Sequence, residues 1–457
     1  MADAGLVGTG KPPRPLEGQR FMAFTCVVGL QWGDEAKGKI VDVLTPKHPF
    51  VVRFNGGANA GHTVKFEGKT FKLSILPTGI LCPTATAVVG NGVVIYPPRI
   101  LEELKQLTDG GVDALPRLKI STAAHVILPY HFEQERLSES GKGSGEAIGT
   151  TGRGIGPCYE DKAGRRWAIR MADLLDEASL HQKLTPIVDR KNRLFKALDP
   201  NAKQFDAAEL AREFAGYGKI LRDNICDTQA MMGECSDSGV GVLFEAAQGS
   251  LLDLDHGSFP YVTSSNSSAA GIWSGSGFPS RKLDTTYGIV KAYTTRVGGG
   301  PMPTELLDGP EGIGEKIRQV GREFGTVTGR PRRVGWLDAV ALKHTARLND
   351  ADVLCLMLLD VLSGHPELKI AVGYEIDGKP YHGFPSDAAI LARCKPIYET
   401  LPGWKEDITG ARAPADLPQA ALNYIRRVGE LVGRPVAVAS VGPDRAQTIW
   451  MNGGELA

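Results

Sequence analysis

A glycine-rich segment between an apolar stretch and a helix-like stretch constrains this chain most strongly. The segment reads Gly33-Asp34-Glu35-Ala36-Lys37-Gly38-Lys39; it follows the apolar residues 24–28 and precedes the helix-like residues 40–44. Its spacing fits G-x-x-x-x-G-K, in which backbone N–H groups and a helix N-terminus approach phosphate oxygens while a lysine meets their charge. The sequence therefore predicts a strand, a phosphate-binding loop and a helix. A glycine-rich turn without a ligand is the alternative for this motif alone.

The residue after the motif departs from an ordinary phosphate loop. Ile40 stands where Ser or Thr usually binds magnesium, so a metal here needs another oxygen ligand. Asp34 is the candidate. A carboxylate inside an anion-binding loop costs electrostatic energy, which indicates a role in metal binding or proton abstraction.

Composition excludes several classes of protein. The 457 residues contain 52 Lys plus Arg and 52 Asp plus Glu, so no net field favours nucleic acid or an anionic membrane. No apolar stretch approaches the ~20 residues of a membrane span. Seven scattered cysteines without a C-x-x-C pair argue against a disulfide framework or a zinc site. We predict a cytoplasmic protein with a mobile tail at residues 1–20.

Further polar loops follow predicted strands. Residues 55–63 contain three glycines with Asn59 and His62, and could be a ligand loop or a tight hairpin. Residues 147–157 carry four glycines, two threonines and an arginine, so we expect an irregular loop suited to a phosphate ester. Lys162, Arg165 and Arg166 extend its positive charge, unless they form only a solvated helix face.

Later strands also end in polar groups. Gln248 could read a purine edge and Thr263 could hold a phosphate. The run Gly329-Arg330-Pro331-Arg332-Arg333 suits an anionic small substrate, because guanidinium groups bind carboxylates and phosphates bidentately. Asp360 follows an apolar strand at 353–359 and could bind a guanine edge or cap a helix.

Strands and helices alternate over most of the chain, which favours an α/β fold. We expect a large, mainly parallel central sheet flanked by helices, in a single domain over residues 21–457. Amphipathic helices around residues 172–230 are predicted to form a helical insertion.

In this order the motifs resemble those of the adenylosuccinate synthetase family, over about residues 24–450. The matching segments are residues 31–35, 59–63, 149–157, the Gln248 loop, 262–266, 329–333 with 335–338, and 399–404. The resemblance implies GTP-dependent joining of IMP to L-aspartate, through a 6-phosphoryl-IMP intermediate. It implies Asp34 as the base, His62 as a general acid, Gln248 as a third catalytic residue, and Mg2+ held by Asp34 and the Gly61 carbonyl.

The resemblance also implies the substrate pockets and a homodimer in which Arg165 reaches the partner's IMP. GTP would bind at Gly33, Glu35, Ala36, Lys37, Gly38, Lys39, Gly61, His62, Thr63, Arg332, Leu358, Leu359, Asp360, Ser440, Val441 and Gly442. IMP would bind at Asp34, Lys37, Asn59, Ala60, Gly61, His62, Thr151, Arg165, Gln248, Thr263, Val297 and Arg330. Aspartate would bind at Thr326, Val327, Thr328, Gly329, Arg330, Pro331 and Arg332.

Four positions depart from the family pattern. Ala36 replaces a glycine, so the loop must avoid positive φ there or carry strain. Leu358 replaces a lysine beside the guanine pocket, which weakens the expectation of strict GTP use. Val327 and Pro331 replace common neighbours in the aspartate loop. A GTP-dependent switch protein and a catalytically silent relative are the competing interpretations. A switch function leaves His62, Arg165 and Gln248 unexplained, and the presence of both Asp34 and His62 argues against a silent relative.

Overall fold

The computed structural model describes residues 24–66, 69–140, 150–309, 311–325, 329 and 331–451. Its strands are β1 (Phe24–Gly29), β2 (Phe50–Arg53), β3 (His62–Phe66), β4 (Lys69–Leu73), β5 (Thr86–Val89), β6 (Val94–Ile95), β7 (Leu118–Ser121), β8 (His125–Val126), β9 (Ile225–Cys226), β10 (Val242–Glu245), β11 (Thr285–Lys291), β12 (Thr294–Arg296), β13 (Arg333–Gly335), β14 (Leu337–Asp338), β15 (Val353–Met357), β16 (Glu367–Ile376), β17 (Lys379–Tyr381), β18 (Lys395–Pro402), β19 (Val436–Ser440) and β20 (Thr448–Trp450).

The helices are α1 (Lys37–Leu44), α2 (Pro97–Asp109), α3 (Pro129–Glu139), α4 (Ile155–Gly164), α5 (Glu177–Leu198), α6 (Ala207–Ile220), α7 (Thr228–Ser238), α8 (Gly271–Ser276), α9 (Ile313–Val320), α10 (Ala339–Leu348), α11 (Ala388–Arg393) and α12 (Gln419–Val432). No helix of these described parts is long and apolar enough to cross a membrane.

A ten-stranded sheet forms the centre, in the order β20-β19-β15-β11-β1-β10-β2-β5-β7-β9. Every neighbouring pair is parallel except β19 with β20. All six residues of β1 are buried, as expected for a parallel strand covered on both faces. The predicted α/β fold with a mainly parallel central sheet is confirmed.

A second sheet of four strands was not predicted. It contains β14, β16, β17 and β18, and the long strand β16 pairs antiparallel with β18 from Glu367–Pro402 to Glu375–Lys395. The hydroxyl of Tyr374 on β16 donates to Asp338 Oδ2 at 2.5 Å, inside the core. This bond joins β16 to the last residue of β14, which also caps the N-terminus of α10.

The helices α5, α6 and α7 occupy most of residues 177–238, beside the central sheet. The α5 and α6 helices pack on one another through buried residues that include Leu184 and Phe214. The assignment of residues 21–457 to one domain stays a prediction, and the tail at residues 1–20 lies outside the described chain.

One expectation about local structure is wrong. Residues 147–157 were expected to be irregular throughout, but α4 begins at Ile155 and includes Gly156 and Pro157. Proline is tolerated in the first turn of a helix, because its missing N–H would have no intrahelical partner there. Gly154, with φ 70°, makes the turn into the helix.

Candidate active site

The candidate site residues follow the carboxyl ends of parallel strands. Loops after β1, β2, β10, β15 and β19 carry Asp34, Asn59, Gln248, Asp360 and Gly442, respectively. Because these strands are parallel members of one sheet, their carboxyl ends lie at the same edge. Ligands of open α/β sheets bind at that edge.

The phosphate loop is braced from inside by a buried carboxylate. Glu35 is fully buried, and its Oε1 accepts hydrogen bonds from the backbone N–H groups of Gln31 at 3.1 Å and Gly33 at 2.8 Å. Its Oε2 accepts one from Lys37 Nζ at 2.6 Å. Glu35 was predicted to bind GTP, but its carboxylate faces the protein interior, so only its backbone is available to a ligand.

Strained backbone conformations concentrate at the predicted site. Eight non-glycine residues of the described chain have positive φ, and five of them are predicted site residues. Such conformations persist only where the surrounding structure holds them, and they cluster at functional sites. The five are Asp34 (φ 60°), Ala36 (φ 62°), Arg165 (φ 60°), Gln248 (φ 59°) and Leu358 (φ 57°).

The candidate base lies beside an arginine of the predicted aspartate loop. Arg332 Nε donates to Asp34 Oδ2 at 2.9 Å, although the two positions are 298 apart in the sequence. The Asp34 side chain is 39% exposed and that of Arg332 is 14% exposed. A ligand can therefore reach Asp34, and the ion pair brings two predicted sites together.

Gln248 and Asn59 are also brought together. Gln248 Nε2 donates to Asn59 Oδ1 at 3.1 Å, and Asn55 Nδ2 donates to Gln248 Oε1 at 3.4 Å. Asn55 is almost fully buried, and its Oδ1 accepts from the backbone N–H of Ala247 at 2.8 Å. Asn55 was missed as a site residue, although its place at the end of β2, before two glycines, could have indicated it.

The predicted guanine pocket contains an unpaired carboxylate oxygen. Oδ1 of Asp360 is buried and has no hydrogen-bond partner within the described chain. Burial raises the pKa of the Asp360 carboxyl, whereas the nearby Lys39 ammonium lowers that pKa. The strand before it ends at Met357, and Asp360 lies in a short 3-10 helix instead of directly at a strand end.

Other predicted residues lie apart or are described only in part. Thr151 and Arg165 are exposed near opposite ends of α4. Val297 is 40% exposed, and the backbone N–H of Thr263 donates to Leu252 O at 2.8 Å. Thr326, Val327, Thr328 and Arg330 lie outside the described residues. His62 and Thr63 are described as β3 backbone.

One carboxylate of the candidate site meets the requirement for a metal ligand. No three His, Cys, Asp or Glu side chains cluster to hold an ion in the parts of the chain that the structure describes. Mg2+ in nucleotide sites usually needs only one or two carboxylates, because phosphates and water supply the remaining oxygens. Asp34, whose side chain is 39% exposed within the phosphate loop, fits that requirement.

Comparisons with known proteins agree on one family. The family model described as adenylosuccinate synthetase matches residues 26–449. Adenylosuccinate synthetases of Listeria welshimeri and Bacillus anthracis are each 49% identical over 427 residues, which cover 93% of this chain and 98% of the relative. The fully ligated adenylosuccinate synthetase from Plasmodium falciparum superposes with a TM-score of 0.87 at 36% identity, covering 94% of this chain and all of that one.

The chain belongs to the adenylosuccinate synthetase family. It is therefore a carbon–nitrogen ligase of AMP biosynthesis that binds GTP, and the predicted family is confirmed. Enzymes of the adenylosuccinate synthetase family need a metal cofactor. A cyanophage succinoaminodeoxyadenylate synthetase, with a TM-score of 0.58 and 19% identity, shares the fold.

Ala36, which replaces the usual family glycine, has a positive φ and therefore a strained backbone. It has φ 62° and ψ 34° immediately before α1. The left-handed conformation costs a residue with a Cβ about 1–2 kcal/mol, which exceeds the entropy that glycine loses on folding. We expect Ala36→Gly to raise the free energy of unfolding by about 0.5–1 kcal/mol, measured by urea denaturation.

The same chemical change in a regular helix provides the control. Ala389 is exposed in the first turn of α11, so Ala389→Gly should lower the free energy of unfolding, by up to about 1 kcal/mol. Equal destabilisation by both substitutions would show that Ala36 is not strained.

Proposed function

We propose that this ligase joins IMP to L-aspartate with GTP as the energy source, releasing GDP and phosphate, as the first committed step from IMP to AMP. The observation that carries the proposal is Asp34, an accessible carboxylate in a phosphate loop, paired at 2.9 Å with Arg332 of the aspartate loop. A GTP-dependent switch protein would not require an ion pair between Asp34 and Arg332. We further infer that the enzyme acts in the cytoplasm.

Asp34 is the base of the first step. It removes the proton from N1 of IMP, so that electron density moves to the 6-oxygen. That oxygen forms a bond to the γ-phosphorus of GTP while the bond to GDP breaks, giving 6-phosphoryl-IMP. His62 acts as a general acid that stabilises the charge developing on the transferred group. Positioning and charge neutralisation provide most of the rate enhancement in such a transfer.

The second step replaces the new phosphate. The amine of aspartate attacks C6, the C6–O bond breaks, and phosphate leaves with the bonding electrons. The amine loses its protons to the surrounding medium or to the leaving phosphate. Arg332 and its neighbours in residues 326–332 hold the carboxylates of aspartate, because guanidinium groups match carboxylate geometry.

Mg2+ would be held by Asp34 and the Gly61 carbonyl, together with phosphate oxygens. When bound, it supplies positive charge that neutralises the phosphates. The Arg332 guanidinium donates to one oxygen of Asp34, and the Asp34 side chain is 39% exposed. The backbone N–H groups of the phosphate loop and Lys37 hold the remaining phosphate charge.

Gln248 holds the 6-oxo end of IMP. Its side-chain amide is oriented by Asn55 and Asn59, and its backbone is strained. A fixed amide can donate to the oxygen as negative charge develops there, which stabilises the transition state. Thr151, Thr263 and Val297 complete the IMP pocket in this proposal.

The base pocket selects guanine. The unpaired Oδ1 of Asp360 can accept a hydrogen bond from N1–H or the 2-amino group of guanine, whereas adenine offers an acceptor at N1. A buried acceptor without a partner costs free energy, so a ligand that pairs it gains affinity. Leu358 lacks the charge of the usual lysine and contributes only apolar contact.

The geometry of α4 supports shared sites in a homodimer. Its ten residues span ~15 Å, with Thr151 before its N-terminus and Arg165 at its C-terminal cap. The helix therefore separates the two residues along its axis, which favours contacts to two different IMP molecules. We assign Thr151 to the IMP of its own subunit and Arg165 to that of the partner.

The test is product formation by the purified protein with IMP, aspartate, Mg2+ and either GTP or ATP. We expect adenylosuccinate absorbance to rise with GTP, and kcat/KM for GTP to exceed that for ATP at least about tenfold, as one lost buried hydrogen bond predicts. Equal turnover with both nucleotides would disprove base selection by Asp360. Absence of product with either would disprove the proposed reaction.

A further inference from the structure

Lys39 closes the phosphate motif, yet its side chain binds a different part of the chain. Its Nζ donates to Ser440 Oγ at 2.7 Å, to Gly442 O at 2.8 Å and to Gln447 O at 3.0 Å. An ammonium group has three N–H donors, and these contacts use all three. Lys39 therefore cannot bind a phosphate without breaking one of them.

The segment that receives these bonds is residues 440–447, here called the base segment because it contains the predicted guanine contacts. A second connection joins it to the same helix: Arg445 donates from Nε and NH2 to both oxygens of Asp42 on α1, at 2.9 and 2.7 Å. The base segment is thus attached to α1 at two positions one turn apart. The phosphate loop, which leads into α1, and the base segment form one unit.

Charged groups of several elements surround the Lys39 ammonium. Burial lowers the pKa of Lys39 to about 8, Asp360 and Asp444 oppose that shift, and Arg412 adds to it. Lys39 in turn lowers the pKa of Asp360, while Asp407 raises it. The lysine charge thus favours the ionised form of the carboxylate that is expected to read guanine.

We propose that Lys39 is a positioning residue for base recognition: its ammonium holds the base segment against the phosphate loop, next to Asp360. GTP affinity and the preference for guanine over adenine then depend on a lysine that contacts neither base nor phosphate. This inference rests on the proposed use of GTP, and it assigns Lys39 a different role from the predicted phosphate contact.

The experiment compares Lys39→Met and Lys39→Arg with the unaltered enzyme. Loss of charge-assisted hydrogen bonds should raise KM for GTP about tenfold in Lys39→Met, while KM for IMP and aspartate changes less than about twofold. The ratio of kcat/KM for GTP over ATP should fall in parallel. Lys105→Met is the control, because Lys105 is 75% exposed and lies on α2.

The pH profile provides a readout that a purely structural role would not change. In the unaltered enzyme, KM for GTP should rise as the pH passes about 8, because neutral Lys39 loses an N–H donor and its attraction to Asp360. Lys39→Arg stays protonated, so its profile should be flat in that range. A profile that is the same in both proteins would overturn the proposal.

Fluorescence titration with GDP separates this inference from the proposed reaction, because it needs no turnover. Weaker GDP binding by Lys39→Met, together with ligase activity of the unaltered enzyme, supports both the role of Lys39 and the proposed reaction. Unchanged GDP affinity, or an equal rise of all three KM values, overturns the role of Lys39 alone. If Lys39→Met does not fold, Ser440→Ala removes one acceptor and should raise KM for GTP about threefold; an unchanged value would contradict the proposal.

Discussion

Asp34→Asn should lower kcat at least about a thousandfold, since one substitution removes both the general base and the carboxylate proposed to hold the metal. Asparagine is the appropriate replacement, because it tolerates the positive φ of 60° at this position better than alanine. The measurement is adenylosuccinate formation by absorbance, with saturating IMP, GTP and aspartate.

The fold of this variant should remain intact. The Asp34–Arg332 pair is partly exposed, so its loss should change the free energy of unfolding by less than about 1 kcal/mol. Asp109→Asn, at a carboxylate that is 62% exposed on α2, is the matched control and should keep full activity. More than about a tenth of the activity remaining in Asp34→Asn would exclude it as the essential base.

Local sequence patterns were sufficient to predict the main sheet and the strand, loop and helix that contain the phosphate motif. The glycine spacing, the apolar run of β1 and the helix-like residues of α1 are each visible in a short stretch of sequence. The same reasoning could not show the direction of the Glu35 side chain. Its burial depends on packing against Gly29, where an added Cβ would lie 2.3 Å from the Glu35 carboxylate. Only the folded chain reveals that constraint.

Contacts between distant segments account for what sequence reasoning missed. Lys39 contacts residues about 400 positions away, and Asn55 orients Gln248 across 193 positions. Nothing near either residue in the sequence indicates its partner. The second sheet was also missed, because β16 mixes buried, half-buried and exposed residues and β18 has only half-buried and exposed ones, so neither strand has a long buried run.

Arg165→Gln alone should lower kcat/KM for IMP about a hundredfold, the cost of leaving a phosphate without its charged partner. A mixture of the Arg165→Gln and Asp34→Asn variants should be more active than either variant alone. In a hybrid dimer, one site combines Asp34 of the first chain with Arg165 of the second. Random exchange makes half of the dimers hybrids with one intact site each, so about a quarter of the unaltered activity should return.

The double variant Asp34→Asn with Arg165→Gln decides whether Arg165 acts across the interface. When it is mixed with the unaltered chain, a hybrid dimer lacks Asp34 in one site and Arg165 in the other. Activity should then fall in proportion to the hybrids formed, because neither of their sites is complete. If Arg165 served the IMP of its own subunit, each hybrid of the double variant with the unaltered chain would keep one complete site. The mixture of Arg165→Gln with Asp34→Asn would then stay inactive. The two mixtures thus give opposite results for the two arrangements.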